Sequence, residues 1–345
     1  MAMLGVWPVR ILILGCSCRW GAGLVARKSL TQSGWSDLDT VPDMIIAGIG
    51  NSGTRGVKQL METLGLRMCK DINENEDNIE TSFSTNSWVL DQLTRLISEG
   101  RKLSVEAYEK YPDSFQRLLM WQREKVAATY HCALPNSDEH AIWGFKNPSQ
   151  LYMWPVTHLA YAGRTKLLLV TRDPRDICTA ENQNQFEAFC PGLLGRACSG
   201  ESDCYSFWAR VWSDVLAEFV PKGNVKLVRI EDLAVREPAM VRSKVRCILN
   251  YAGLTAPPSS SSNPSLLSFE PTQINDDVIE KSLIPIHEHS SSFMGHHYNA
   301  TDQDRREHVA LTSNHHDPLV KQMMLRLGYD PKEFALLPPW EESIC

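Results

Sequence analysis

The chain has 345 residues, of which 43% are hydrophobic and 22% are charged, and its formal net charge at pH 7 is −6. This length and apolar content are sufficient to bury the core of one large domain. The negative charge and the lack of a basic stripe argue against nucleic acid as a partner, because binding to its phosphates requires clustered cations.

Residues 1–40 are predicted to be a targeting segment or a disordered N-terminus, and residues 41–345 are predicted to form one domain. Ile11–Cys18 is apolar, but Arg19 interrupts it before the about 20 residues of a membrane span are reached. Basic residues precede Asp37, the first acidic residue. This pattern fits a weak signal peptide, a poor signal anchor or an organellar transit peptide, and membrane contact is expected only through such an anchor.

Met44–Gly65 is predicted to form an apolar strand, a Gly-rich turn and a helix. The arrangement suits an anionic phosphate, because glycines let the backbone approach the ligand and the first N–H groups of the helix point at it. Thr54 adds a hydroxyl group, and Arg55 adds a fixed pair of positively charged donors. The predicted anion loop consists of Gly50, Asn51, Ser52, Gly53, Thr54 and Arg55.

This loop differs from the G-x-x-x-x-G-K-[ST] loop of nucleoside triphosphatases. Gly48 and Gly53 have the right spacing, but Thr54 occupies the position of the phosphate-binding lysine. The next lysine is Lys58, a full turn into the predicted helix. A P-loop ATPase, GTPase or kinase is therefore disfavoured.

The middle of the chain predicts helices separated by short strands. Helical periodicity is predicted over Ser87–Glu99, roughly Val105–Ala128, Ser149–Gly163, Tyr205–Phe219, Pro238–Ala252 and Asp317–Leu327. Thr255–Ser268 is predicted to be a loop, with irregular structure continuing to about Thr312. Val225–Leu233 predicts a strand whose acidic turn, Glu231–Leu233, supports the site from below.

Basic residues lie at the ends of two short strands. Lys146 precedes Asn147-Pro148, and Arg172 follows the apolar run Leu167–Val170, which is typical of a buried parallel strand. Arg172 is predicted to point into the crevice where open α/β sheets bind ligands. Taken alone, Arg172 also fits an ion pair with Asp176, and Lys146 fits a solvated charge.

In this order, Ser52-Gly53-Thr54, Lys146-Asn147-Pro148, the VTRDPRD motif and the RIEDL motif resemble the sulfotransferases that use 3′-phosphoadenosine 5′-phosphosulfate (PAPS). The likeness is greatest to proteins with a GGSGTR-type loop, and it extends through an Asn-Glu-rich turn (Asp71–Asn78) and an Asn-Gln-Asn-Gln run (Asn182–Gln185). It covers roughly residues 43–255, with a weaker match at Leu327–Asp330. The resemblance implies an α/β, three-layer, P-loop-like fold with a central, mainly parallel sheet flanked by helices.

The resemblance also implies roles for the site residues. The anion loop would bind the 5′-phosphosulfate, Arg172 the 3′-phosphate, and Lys146 would stabilise charge on the bridging oxygen as the S–O bond breaks. Asp77 or Glu74 is the candidate base for a hydroxyl or amine acceptor, with Asp77 preferred by register. Saccharides, tyrosine side chains and small molecules all remain open as acceptors, and no metal is required.

Two positions depart from the family pattern. Asn51 replaces the Lys or Arg that often precedes Ser-Gly-Thr, and Ala180 replaces a Ser eight residues after the arginine. Thr179 is a candidate ligand in its place, although a shift of one residue turns a helical side chain by about 100°. These departures leave open a nucleotide-binding pseudoenzyme with weak or no catalysis.

The cysteines and histidines indicate the compartment more than a metal site. Cys190, Cys198 and Cys204 are predicted to form a disulfide-stapled loop near the acceptor site, and their spacing disfavours zinc. The His296-His297 and His315-His316 pairs are predicted to be exposed loop residues rather than metal ligands. With the sequon at Asn299, the cysteines favour the secretory pathway over a reducing cytoplasm, and the resemblance implies the Golgi lumen.

Overall fold

The structure is a computed structural model, and it describes residues 40–82, 86–135, 141–180, 182–234, 237–254, 276–293, 317–332, 336–339 and 344–345. Thr40–Cys345 forms one compact unit. The predicted targeting segment, the predicted loop over Thr255–Ser268, the sequon at Asn299 and both histidine pairs lie outside the described residues.

The strands of the described chain are β1 (Met44–Gly48), β2 (Arg67–Met68), β3 (Trp143–Lys146), β4 (Lys166–Thr171) and β5 (Val225–Arg229). The helices of the first half are α1 (Thr54–Thr63), α2 (Ser87–Gly100), α3 (Val105–Glu109), α4 (Pro112–Ala133), α5 (Gln150–Ala160) and α6 (Pro174–Cys178). The second half adds α7 (Asn184–Leu194), α8 (Gly200–Asp214), α9 (Ile230–Ala234), α10 (Pro238–Ala252), α11 (Asp276–Phe293) and α12 (Pro318–Leu327).

The strands form a five-stranded parallel sheet in the order β2-β3-β1-β4-β5. Every residue of β1 is buried, as expected for a central strand covered on both faces. Met44 and Ile46 face a core shared with α1, α10 and α11, and the alternating residue Ile45 points to the opposite face. Helices α4 and α5 pack against β3 and β1. The predicted three-layer α/β fold with a parallel central sheet is confirmed.

Three predicted elements were wrong in detail. The helix predicted over Val105–Ala128 is two helices, because Pro112 has no N–H donor and its ring clashes with the preceding turn; the second helix continues to Ala133. The acidic turn at Glu231–Leu233 is the short helix α9. The irregular structure predicted up to Thr312 includes the 18-residue helix α11, which buries Ile279, Leu283 and Ile286 in the core.

Four disulfides join the cysteines of the described chain: Cys69–Cys132, Cys178–Cys204, Cys190–Cys198 and Cys247–Cys345. Cys190–Cys198 staples the loop that the sequence predicted, whereas Cys204 pairs instead with the end of α6. Disulfides of this number fit an oxidising environment. Among the described residues, every helix falls short of the length or the apolar character that a bilayer crossing needs.

Candidate active site

The anion loop, Lys146 and Arg172 lie at the carboxyl ends of three neighbouring strands. Strands β3, β1 and β4 are adjacent and parallel, with Ile46 of β1 paired to Lys146 of β3 and Gly48 of β1 paired to Val170 of β4. The anion loop follows β1, and Arg172 is the first residue after β4. Strand β3 pairs with one edge of β1 and strand β4 with the other. Open α/β sheets form their ligand crevice at such a position.

The anion loop has the backbone of a tight anion-binding turn. Asn51 has a φ of 65° and Gly53 a φ of 90°, both left-handed. A Cβ at Gly53 would lie 2.7 Å from Cγ1 of Ile230, so this position requires glycine. Helix α1 begins at Thr54 with no side-chain cap at Gly53. Its first N–H groups are therefore available to an anion.

Ser52 adds a buried polar group to the loop. Its side chain is only 1% exposed, and its hydroxyl has no hydrogen-bond partner among the described residues. Thr54, two residues later, is also buried. A buried hydroxyl without a partner is rare in native proteins, and a ligand oxygen is one way to satisfy it.

Arg172 connects the anion loop to α6. It is 6% exposed; its Nε donates to Asp176 Oδ2 at 3.1 Å and its Nη1 donates to the backbone carbonyl of Asn51 at 3.2 Å. Burial raises the pKa of Asp176, and the positive charge of Arg172 opposes this shift. Thr179, in contrast, is exposed, and its hydroxyl donates to the carbonyl of Arg175 at 2.8 Å.

A buried polar network supports the residue that follows Arg172. Glu231 Oε1 accepts a hydrogen bond from the backbone N–H of Asp173 at 2.8 Å, and Tyr329 donates its hydroxyl to Glu231 Oε2 at 3.2 Å. Arg175 forms an ion pair with Asp173. Burial raises the pKa of Glu231 to about 8. The predicted acidic turn and the Leu327–Asp330 match thus meet beneath the end of β4.

Lys146 and Asp77 form an ion pair on the other side of the crevice. The Nζ of Lys146, a residue only 3% exposed, contacts Asp77 Oδ1 and donates to the backbone carbonyl of Asn75 at 2.8 Å. Burial lowers the pKa of Lys146, and the Asp77 carboxylate opposes this shift while the Arg55 charge adds to it. The structure therefore brings the preferred base and the predicted catalytic lysine into direct contact.

Glu74, the other candidate base, lies in the same Asn-Glu-rich turn (Asp71–Asn78) but is not part of this ion pair. Glu74 is exposed, and its backbone carbonyl accepts from Arg55 Nη2 at 3.4 Å. Arg55 also donates to Asn75 Oδ1 at 3.2 Å, so its guanidinium binds this turn. Of the two candidate bases, Asp77 is the one paired with Lys146.

Contacts among Glu76, Lys58 and Gln59 hold the Asn-Glu-rich turn (Asp71–Asn78), and none of the three is a predicted site residue. Glu76 has a left-handed φ of 57°. Its carboxylate accepts from Lys58 Nζ at 3.1 Å and from Gln59 Nε2 at 2.6 Å, both on α1. Such backbone conformations in non-glycine residues persist only where the surroundings impose them. Neither the φ of Glu76 nor its partners on α1 has a sequence signal.

The Asn-Gln-Asn-Gln run contacts the outer part of the anion loop. Gln185 Oε1 accepts from the backbone N–H of Gly50 at 2.8 Å. Asn51 donates its side-chain Nδ2 to the carbonyl of Asn182 at 2.6 Å. The amide of Asn51 is therefore turned towards this run. In the part of the chain that the structure describes, no group of three or more His, Cys, Asp and Glu side chains is arranged to hold a metal ion.

No protein-family model matches the chain, and no curated protein matches its sequence. Among solved structures, the sulfotransferase STF1 from Mycobacterium tuberculosis H37Rv is 15% identical over 75% of each chain, with a TM-score of 0.34. The sulfotransferase domain from the curacin biosynthetic pathway is 12% identical over 84% of this chain and 98% of that one, with a TM-score of 0.33.

Proposed function

We propose that the chain is a sulfotransferase that moves a sulfonate group from PAPS to a hydroxyl or amine acceptor. The observation that carries the proposal is the junction of the anion loop with Arg172, through the hydrogen bond from Arg172 Nη1 to the Asn51 carbonyl. One crevice thereby holds an uncapped helix N-terminus, the buried Ser52 hydroxyl and a buried guanidinium. Such a set suits a ligand with two separate phosphates.

In this scheme the acceptor oxygen or nitrogen attacks the sulfur, and the S–O bond to the 5′-phosphate breaks. The acceptor proton moves to Asp77, and the electron pair of the broken bond leaves with 3′-phosphoadenosine 5′-phosphate. Lys146 stabilises the negative charge that develops on the leaving phosphate. Asp77 and Lys146 form an ion pair, so in this scheme Lys146 turns to the leaving group as Asp77 accepts the proton.

The second candidate function is a nucleotide-binding pseudoenzyme with the same crevice. Two observations favour it. Asn51 adds no charge to the loop, and the Arg55 guanidinium donates to the backbone carbonyl of Glu74 and to the side chain of Asn75. The loop then has fewer cations to balance the leaving phosphate. A P-loop kinase is less favoured, since Thr54 stands in the lysine position.

The four disulfides support a place in the secretory pathway, and we propose the Golgi lumen as the compartment. The acceptor class stays open between saccharides, tyrosine side chains and small-molecule alcohols or amines. Membrane contact, if any, would come through the N-terminal segment.

The test incubates the wild type with sulfur-labelled PAPS and a panel of acceptors from these classes. The variant Lys146→Met is assayed in parallel. Label transfer by the wild type and its loss in the variant would support catalysis at this site. Binding of PAPS without transfer to any acceptor would favour the pseudoenzyme. Turnover of ATP with magnesium, and no binding of PAPS, would contradict the sulfotransferase and revive the kinase.

A further inference from the structure

The run Asn182–Gln185, here called the amide strap, contacts several segments of the candidate site. Gln185 accepts the Gly50 N–H of the anion loop at 2.8 Å, and its Nε2 donates to Ser149 Oγ at 3.4 Å. Ser149 directly follows Lys146-Asn147-Pro148. The Tyr152 hydroxyl donates to the same Gln185 oxygen at 3.4 Å. One carboxamide thus joins the segments that follow β1 and β3.

The strap also binds the segment that follows β4. Gln183 donates its Nε2 to the backbone carbonyls of Ile177 at 2.9 Å and Ala180 at 2.6 Å. Both carbonyls belong to the end of α6 and the turn after it, the segment that starts beside Arg172. Asn182 accepts from Asn51 at 2.6 Å. The strap therefore contacts all three segments that bring the loop, Lys146 and Arg172 into one crevice.

The chemistry of residue 185 matches this position. Its contact with Gly50 requires an acceptor, because a backbone N–H is the donor. An aspartate or glutamate would also accept, but its charge would lie beside a loop whose free N–H groups suit an anion. A carboxamide accepts the hydrogen bond and stays neutral at every pH.

We propose that Gln185 is a positioning residue of the anion loop: it fixes the outer turn at Gly50 and keeps this edge of the loop uncharged for an anionic ligand. This inference rests on the proposed function in one respect, that the loop binds the phosphate end of the co-substrate. The identity of the rest of the ligand does not enter it.

The test compares Gln185→Glu, Gln185→Met and the control Gln322→Glu, which makes the same change of charge at an exposed position of α12. Two quantities are measured: hydrogen exchange of the peptide that contains Gly50, and calorimetric affinity for pyrophosphate and for 3′-phosphoadenosine 5′-phosphate. Gln185→Glu should keep slow exchange at Gly50 but bind both anions at least about tenfold more weakly, by charge repulsion. Gln185→Met should exchange faster and also bind more weakly, and the control should match the wild type.

Wild-type affinity in Gln185→Glu would overturn the requirement for a neutral residue. Unchanged exchange in Gln185→Met would overturn the positioning role. If the wild type binds pyrophosphate but not the nucleotide, the PAPS proposal fails, and the same variants still decide the role of Gln185 through pyrophosphate. If the wild type binds neither anion, the loop is not an anion site and both proposals fall.

Discussion

The two sides of the crevice are held by different means. On the Arg172 side, the support is buried: Asp173 and Arg175 are paired in the interior, Glu231 braces the backbone, and Cys178–Cys204 ties the end of α6 to α8. On the Lys146 side, Asp77 lies in a partly exposed turn that depends on side-chain contacts from α1. The Arg172 side is thus built into the core, whereas the Asp77 side depends on a few contacts close to the surface.

This difference suggests that the two sides of the crevice would affect different measured properties. A site that must discriminate a nucleotide benefits from groups whose rotamers are fixed by packing. In the proposed function, Asp77 exchanges its partner during the reaction, which a less constrained position allows. Substitutions on the Arg172 side should mainly change affinity and stability, and substitutions on the Asp77 side should mainly change turnover.

The largest effect is expected for Asp77→Asn. The amide keeps the shape of the side chain and a contact with Lys146 but cannot accept the acceptor proton. Turnover should fall by about 10²- to 10⁴-fold, while affinity for 3′-phosphoadenosine 5′-phosphate stays near the wild-type value. Label-transfer kinetics measure the turnover, and calorimetry measures the affinity. Glu74→Gln is the control, and an equal loss of turnover in that variant would contradict the assignment of the base to Asp77.

Replacement of Cys178 and Cys204 by alanine should lower the free energy of unfolding by roughly 3.5 kcal/mol, because the disulfide closes a sequence separation of 26 residues. Affinity for the nucleotide should fall with it, since α6 starts beside Arg172. The matched control replaces Cys190 and Cys198, which are separated by 8 residues, and should lose roughly 2.5 kcal/mol without loss of affinity. Urea unfolding and nucleotide titration provide the measurements. Equal affinities in the two variants would show that the disulfide does not support the site.

The buried Glu231 should make stability depend on pH. Its pKa is raised from 4.5 to about 8 by burial, so between these values the folded chain holds one more proton than the unfolded chain. The free energy of unfolding should therefore fall as pH rises through this range, by at most about 1.4 kcal/mol for each pH unit.

Glu231→Gln should flatten this decline, because glutamine does not titrate. Denaturant unfolding of both proteins at several pH values between 4.5 and 8 measures the difference between the two slopes. The exposed substitution Glu109→Gln serves as the control. Parallel curves for the wild type and Glu231→Gln would mean that Glu231 titrates normally in the fold.

The smallest effect is expected from two substitutions that each remove one partner of Lys58. Glu76→Gln and Glu62→Gln both delete a carboxylate bound to Lys58 Nζ, but only Glu76 lies in the Asn-Glu-rich turn that contains Asp77. Each should lower the free energy of unfolding by about 1 kcal/mol, because both carboxylates are partly exposed. Only Glu76→Gln should also reduce turnover, by up to about tenfold, through displacement of Asp77. Equal turnover in the two variants would separate the α1 contacts from the position of the base.

The sequence predicted those parts of the site that depend on local chain order. The Gly-rich turn, Lys146 and Arg172 each sit at the end of a short apolar run, and parallel strands place such ends at one edge of a sheet. Pro112 is a helix-start signal within the helix predicted over Val105–Ala128, and the second of the two observed helices begins there. Ile279, Leu283 and Ile286 have the i, i+4, i+7 spacing of an amphipathic helix, but Pro285 and the few apolar residues of this stretch argued against helix α11.

The partners of the site residues were beyond the sequence. The contacts of Lys146 with Asp77, of Glu76 with Lys58, and of Gly50 with Gln185 bridge 69, 18 and 135 residues of chain. The contact of Glu76 also depends on a left-handed backbone at a non-glycine residue, which no motif encodes. Such contacts follow from the packed fold and not from the spacing of residue types.

In the proposed function, Arg172 binds a 3′-phosphate beside the anion loop. The direct measurement is a calorimetric comparison of 3′-phosphoadenosine 5′-phosphate with adenosine 5′-phosphate, in the wild type and in Arg172→Ala. The wild type should prefer the 3′-phosphorylated nucleotide by about 10- to 100-fold, the worth of one or two charge-assisted hydrogen bonds, and the variant should lose that preference. A preference that persists in the variant, or equal binding of both nucleotides by the wild type, would contradict the account.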